Sequence, residues 1–229
     1  MTLPLMEPEP RVYPRVPHLP PGVGASRDDH VLAPDQAEPF FSEPVVVEEK
    51  LDGASVALWL DSSGIVRVAT RGGSDAVDRA GQLGPLRAWA AQRADGLRAL
   101  LAEGAVLYGE WLWLEHGVHY DHLPDWLIGL DVWRPEAGFV AFDERARRLT
   151  DAGVALPPEV SREVLGNERR LAELLPVSAF GDFRAEGLIV RRLGVDPRDR
   201  RLAKALSPTF DRRADAAWQS PSRNTLAAH

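Results

Sequence analysis

The stretch Val45–Leu60, "VVVEEKLDGASVALWL", decides how this chain is read. Its β-branched opening predicts a strand over Val45–Lys50, because Val packs well on a pleated surface. Gly53 allows a sharp turn or a close backbone approach. Strand-like residues resume over Ala54–Asp61, "DSSG" follows as a hairpin turn, and Ile65–Arg71 returns as the partner strand. Strands joined in this way run antiparallel. Of the 27 lysines and arginines in the chain, only Lys50 and Lys204 are lysines. Arginine cannot give up its proton near neutral pH and lysine can. An amine kept against an arginine-rich background is therefore informative.

Working outward, residues 1–44 are proline-rich and polar and predict an irregular arm laid over the domain. Apolar residues at helical spacing predict a helix over Leu83–Glu103, with Gly96 as its weak point and Gly104 as its C-cap. Ala105–Leu114 and Trp126–Trp133 read as strands, Asp143–Ala152 and Asn167–Leu175 as helices, and residues 186–192 and 201–206 as closing strands. The polar tail, residues 211–229, is expected to fray. Hairpin-linked strands outnumbering helices point to an α+β fold on antiparallel sheets over residues 45–210, and against a βαβ pattern.

Composition narrows the function classes. The 229 residues are 45% hydrophobic and 27% charged, enough to bury a core without staples. Cysteine is absent, which excludes disulfides and thiolate metal sites. No apolar run approaches the roughly 18 residues of a membrane span. The N-terminus lacks the pattern of a signal peptide, so a cytoplasmic protein with no membrane partner is expected. A net charge of −7 argues against broad adhesion to nucleic acid but leaves room for a local basic groove.

The residues around Lys50 carry the chemistry. Asp52 shares the strand face of Lys50 if the strand continues. Taken alone, a strand-end Lys–Asp pair before a turn is the simpler reading. Three further segments change it: "VLYGEWLW" places Glu110 in a strand, "AEGLIVRR" puts Glu186 at the head of another, and "RLAKAL" supplies Lys204. With "EKLDG" and the aspartate strand "WLIGLDVW", this ordered set resembles the covalent nucleotidyltransferases, namely DNA ligases, mRNA capping enzymes and ATP-dependent RNA ligases. "YGEWLWLEHGVHYDHLPDWLIGLDVW" and "VYPRVPHLP" make it most similar to the RNA ligase family, from about Tyr13 to Phe210.

That resemblance implies an antiparallel-sheet nucleotidyltransferase domain of the ligase and capping-enzyme type. Lys50 would attack the α-phosphate of ATP to form a lysyl-AMP, with Lys204 and Arg71 as cations on the phosphates. Lys204 would also favour a neutral Lys50 amine. Glu186, with Glu110, would hold Mg²⁺ or Mn²⁺; Glu110 would otherwise contact the ribose. Glu48, Glu49, Asp52 and Gly53 would complete the nucleotide site. His116 falls on the family's histidine and would contact substrate. A zinc site at His116, His119 and His122 is set aside, because a spacing of three suits a helix and a strand with a loop is predicted there.

Two positions depart from the family pattern. A second lysine is missing before Lys204, so one phosphate contact is lost or taken by Arg201. The aromatic that stacks on adenine is replaced by Leu130, with Trp126 on the same strand face as an alternative. The expected activity is transfer of AMP to a 5′-phosphate of RNA, in preference to DNA, followed by sealing to a 3′-hydroxyl. The rival readings are an adenylyltransferase that relies on a protein partner for sealing, and a noncatalytic nucleotide- or nucleic-acid-binding module; a GTP-using capping enzyme is a weaker third.

Overall fold

The computed structural model describes residues 13–27, 29–70, 81–194, 201–210 and 222–228. Arg71 lies outside them. Two antiparallel sheets form the fold. The first contains β1 (Pro44–Lys50), β7 (Glu159–Val164), β8 (Gly187–Arg192) and β9 (Leu202–Leu206) in the order β7-β1-β8-β9. The second contains β2 (Ala54–Leu60), β3 (Val66–Thr70), β4 (Val106–Trp111), β5 (Leu127–Arg134) and β6 (Gly138–Phe139) in the order β3-β2-β4-β5-β6. β1 is central in one sheet and β2 in the other, so the three residues between them carry the chain from sheet to sheet. Lys50, Asp52 and Gly53 sit at that crossing.

Each sheet buries one face under helices. Over the second sheet lie α2 (Leu83–Gln92), α3 (Ala94–Leu100) and α4 (Phe142–Asp151), whose Leu86, Trp89, Leu97 and Leu149 pack with Val56, Leu58 and Leu107 of the strands. The first sheet is covered by α1 (Pro34–Ser42) and α5 (Glu168–Glu173), through Phe40 and Leu171 against Val45, Val47 and Val190. Burial of such side chains contributes roughly 1.5–3 kcal/mol each and sets which strand face turns inward.

The strands of the quoted stretch form as expected, with Trp59 opposite Arg67 and Val56 opposite Thr70 across the hairpin. Four expectations are corrected. The arm is not wholly irregular, because α1 forms in it with proline at its first turn. β6 and β7 were not anticipated; β7 is a half-exposed edge strand whose charged residues hide its period. The long helix breaks at Arg93 instead of Gly96. Arg93 leaves helical geometry to pair with Asp125 at 2.8 Å and to lie 4.6 Å from the Trp89 ring. The tail is ordered over residues 222–228, where it bonds to the segment that follows β4.

Candidate active site

A cleft of about 600 Å³ opens between the sheets at the crossing. Strand β1 delivers Lys50 to it, β4 delivers Glu110, the residue before β8 is Glu186, and β9 delivers Lys204. Four segments that are far apart in sequence thus converge.

Lys50 is the centre of the cleft's charge. Its amine contacts a Glu186 carboxylate oxygen and the Leu51 carbonyl at 3.3 Å, with the side chain 21% exposed. Burial by itself pushes the amine's pKa down, but Glu186, Glu110 and Asp52 outweigh it and hold the pKa above the ordinary lysine value. This corrects the expectation of a neutral amine favoured by Lys204. The carboxylates around Lys50 dominate, and Lys204 itself pairs with Asp29 of the arm at 3.5 Å.

Glu110 shows the other side of this balance. Burial, together with the negative charges of Glu186 and Asp52, pushes its carboxyl up to about 7, against the pull of Lys50 and of the Gly53 N–H that donates to it at 3.0 Å. Gly53 is required sterically. A Cβ there would lie 2.7 Å from the Trp111 carbonyl oxygen and 2.6 Å from Leu112, so only glycine lets the crossing press against β4. Asp52 is buried and accepts the Gly117 N–H at 2.7 Å, while its own N–H donates to the Tyr120 hydroxyl at 2.8 Å.

Glu48 and Glu49 also border the cleft, but both already have protein partners. Glu48 is buried between Arg145 and Arg191, and Glu49 accepts from the Ser178 hydroxyl at 2.5 Å and the Ala179 N–H at 2.9 Å. Burial raises the Glu49 carboxyl despite those two bonds. Leu130 borders the cleft, and its carbonyl accepts from Arg145 at 2.8 Å. Trp126 instead packs edge-on against Trp113 at 4.8 Å and is not among the cleft residues. His116 is half-buried in the segment after β4 and does not line the cleft either. Among the described residues no group of three or more His, Asp or Glu is placed to hold a metal, including the histidines at 116, 119 and 122.

Several cleft residues were not anticipated. Tyr13 and Asp29 come from the arm, and Arg191 follows "GLIV" on β8. Tyr13 donates to Asp131, which also pairs with Arg191 at 3.1 Å and Arg201 at 2.9 Å. Arg201 lies 4.2 Å from the Phe139 ring. It is therefore committed to a fully buried aspartate, which favours the first of the two alternatives, that the phosphate contact is lost. The paired arginines in "IVRR" and the tyrosine in "VYPRVP" were visible in sequence, but nothing local indicated that they meet.

Comparison with known proteins places this geometry. The sequence model of the RNA ligase family matches residues 43–206, more than half of the chain. No curated protein matches. Among solved structures, Naegleria gruberi RNA ligase with PPi superposes with a TM-score of 0.60 at 19% identity, over 77% of this chain and 53% of that one. A mutant of the same ligase with AMP and Mn gives 0.57 at 18% identity, over 77% and 53%; an apo mutant gives 0.58 at 18%, over 77% and 52%. The chain spans about half the length of the structures it matches. The shared fold is the α+β, antiparallel-sheet nucleotidyltransferase type. From the extent of the family match, the chain belongs to the RNA ligase family, a family of enzymes.

Proposed function

We propose that this chain is an ATP-dependent RNA ligase that adenylylates itself on Lys50. One observation carries the reading: Lys50, one of only two lysines, meets Glu186 and the field of Glu110 in a cleft that the other lysine, Lys204, also lines. Two arginines would serve a purely structural site equally well. In the first step the Nζ lone pair attacks the α-phosphorus of ATP. A P–N bond forms, the bond to the bridging oxygen breaks, and pyrophosphate leaves with the electron pair. The ammonium must lose a proton beforehand, and Glu186 is the carboxylate in contact with it. AMP then passes to a 5′-phosphate of RNA, restoring the amine, and a 3′-hydroxyl displaces AMP to seal the strand.

Lys204, and Arg71 beyond the described residues, supply positive charge to the phosphates. Glu186 and Glu110 suit Mg²⁺ or Mn²⁺, since a carboxyl held near pH 7 beside a second carboxylate is stabilised by an added cation. Two carboxylates with no third protein donor among the described residues match a metal completed by water and substrate phosphate. When bound, such an ion neutralises charge on the α-phosphate and on the leaving pyrophosphate. Asp52, Gly53, Glu48, Glu49 and Leu130 shape the nucleotide pocket. We place the nucleotidyltransferase unit at residues 45–210, with the arm of residues 1–44 packed on it and a polar tail over residues 211–229, and the protein in the cytoplasm. No helix among the described residues is long and apolar enough to cross a membrane.

The second reading is an adenylyltransferase whose sealing step depends on a protein partner. The test is incubation with α-labelled ATP and Mg²⁺, followed by a denaturing gel beside Lys50→Ala and Lys50→Arg. A labelled band is expected for the wild type and for neither variant. Label on Lys50→Ala sinks the nucleophile assignment, and label on Lys50→Arg sinks the argument from lysine. Labelled protein that never seals a 5′-phosphorylated RNA favours the second reading.

A further inference from the structure

Asn224 lies outside the residues matched by the family, in a tail segment that docks against the loop between β4 and β5. Its side chain is 3% exposed and uses both ends of its amide. The nitrogen donates to the Leu112 carbonyl at 2.9 Å and the Leu114 carbonyl at 3.2 Å, and the oxygen accepts the Tyr120 N–H at 2.8 Å. Carboxylate, hydroxyl and aliphatic side chains lack this combination of two donors and one acceptor on a planar group. The backbone follows the same path. Thr225 N–H donates to Tyr120, Ala227 N–H donates to Leu123, and the N–H groups of Glu115 and Leu123 donate to Ser222 and Thr225, at 2.8–2.9 Å.

The loop held in this way is the one that holds the crossing. Tyr120, fully buried, accepts the Asp52 N–H through its hydroxyl, and Gly117 donates to the Asp52 carboxylate. Asp52 is two residues from Lys50, and the N–H of the next residue, Gly53, donates to Glu110. A continuous set of hydrogen bonds therefore runs from the tail to the turn that aims the nucleophile. We propose that Asn224 is a positioning residue for the reaction at Lys50, acting through Tyr120 and Asp52. This inference rests on the adenylylation reading for its kinetic consequence but not for its structural one.

A positioning role lowers the rate of the chemical step more than it weakens nucleotide binding. Loss of one buried amide's bonds leaves two carbonyls and an N–H short of partners. The rate of Lys50 adduct formation is expected to fall about tenfold or more in Asn224→Ala, with KM for ATP changed less than about threefold. Tyr120→Phe removes only the hydroxyl and should show the same split. In the double variant the two losses should fall short of additive, because both act on Asp52. Arg223→Ala is the control, since that side chain lies over the Trp113 ring at 4.4 Å and has no part in the chain of bonds to Asp52.

Amide hydrogen exchange at Asp52 and Gly117 is measured on the same proteins, below their melting temperatures. Faster exchange at both positions in Asn224→Ala, with Arg223→Ala like wild type, supports the inference. Unchanged exchange and rate in folded Asn224→Ala overturns it, as does a fully additive double variant. If Asn224→Ala does not fold, Tyr120→Phe decides: an unchanged rate there overturns the proposal. A wild-type chain that takes no label refutes the ligase reading alone, and the exchange measurement then judges the coupling by itself.

Discussion

Asp131 has none of its side chain exposed, and it sits among Arg191, Arg201 and the hydroxyl of Tyr13. With Glu48 and Arg145 this makes a buried cluster of two carboxylates and three guanidinium groups beside the cleft. Burial would raise the Asp131 carboxyl, but Arg191, Arg201 and Arg145 outweigh it and hold it below the ordinary 3.8. The group thus contributes stability that is fully present above its unfolded value and is lost as pH falls through its native one. Asp131→Asn should cost about 3–5 kcal/mol at pH 7 in urea unfolding, because two buried guanidiniums lose a counter-charge. The gap from wild type should narrow once pH drops below 3.8. A gap independent of pH would mean that the charge on Asp131 is not what stabilises the cluster. Arg201 illustrates how a residue's role is set by its surroundings: read in sequence it lies beside Leu202, the position of the missing lysine, and could take over that phosphate contact, yet its guanidinium is used internally.

At the scale of elements, the short helix α3 shows packing overriding propensity. Gly96 in a helix interior ordinarily costs about 1 kcal/mol relative to alanine, so Gly96→Ala would be expected to stabilise an isolated helix. In the structure a Cβ at this position would lie 2.7 Å from the Ala152 carbonyl oxygen, at the end of α4. The substitution should therefore destabilise the protein by roughly 1–3 kcal/mol, since a backbone carbonyl cannot move aside as a side chain can. Thermal unfolding of the variant checks the sign, and a raised Tm would show that α3 and α4 are not in this close contact. The strands of the quoted stretch were legible because alternation and turn residues are local signals. α1 was hidden by its prolines, and β7 by its charges. The helix break was misplaced because Arg93 is drawn out of helical geometry by Asp125, which lies 32 positions further along the chain.

For the whole molecule, the cleft is made by both sheets at once: β1, β8 and β9 border it from one side, and β2, β4 and β5 from the other. A nucleotide seated there should bridge them. ATP with Mg²⁺, on the Lys50→Ala protein so that no adduct forms, is expected to slow hydrogen exchange in strands of both sheets. At about 100 times its Kd it should also stabilise the fold by about 2.7 kcal/mol. Protection confined to one sheet would place the nucleotide elsewhere.

The amino-acid sequence by itself determined the strand and hairpin pattern and the antiparallel fold class, since these rest on residue type and short-range period, and the ordered motifs behind the family resemblance singled out Lys50, Glu110, Glu186 and Lys204. Only the tertiary structure decided that carboxylates hold the Lys50 ammonium protonated, that Arg201 and Glu48 are consumed in a buried ionic cluster, that arm residues Tyr13 and Asp29 enter the cleft, and that the tail is clasped through Asn224. Those outcomes depend on which side chains meet across long separations, where a hydrogen bond or ion pair is set by the packed distance between groups and leaves no periodic trace in the chain.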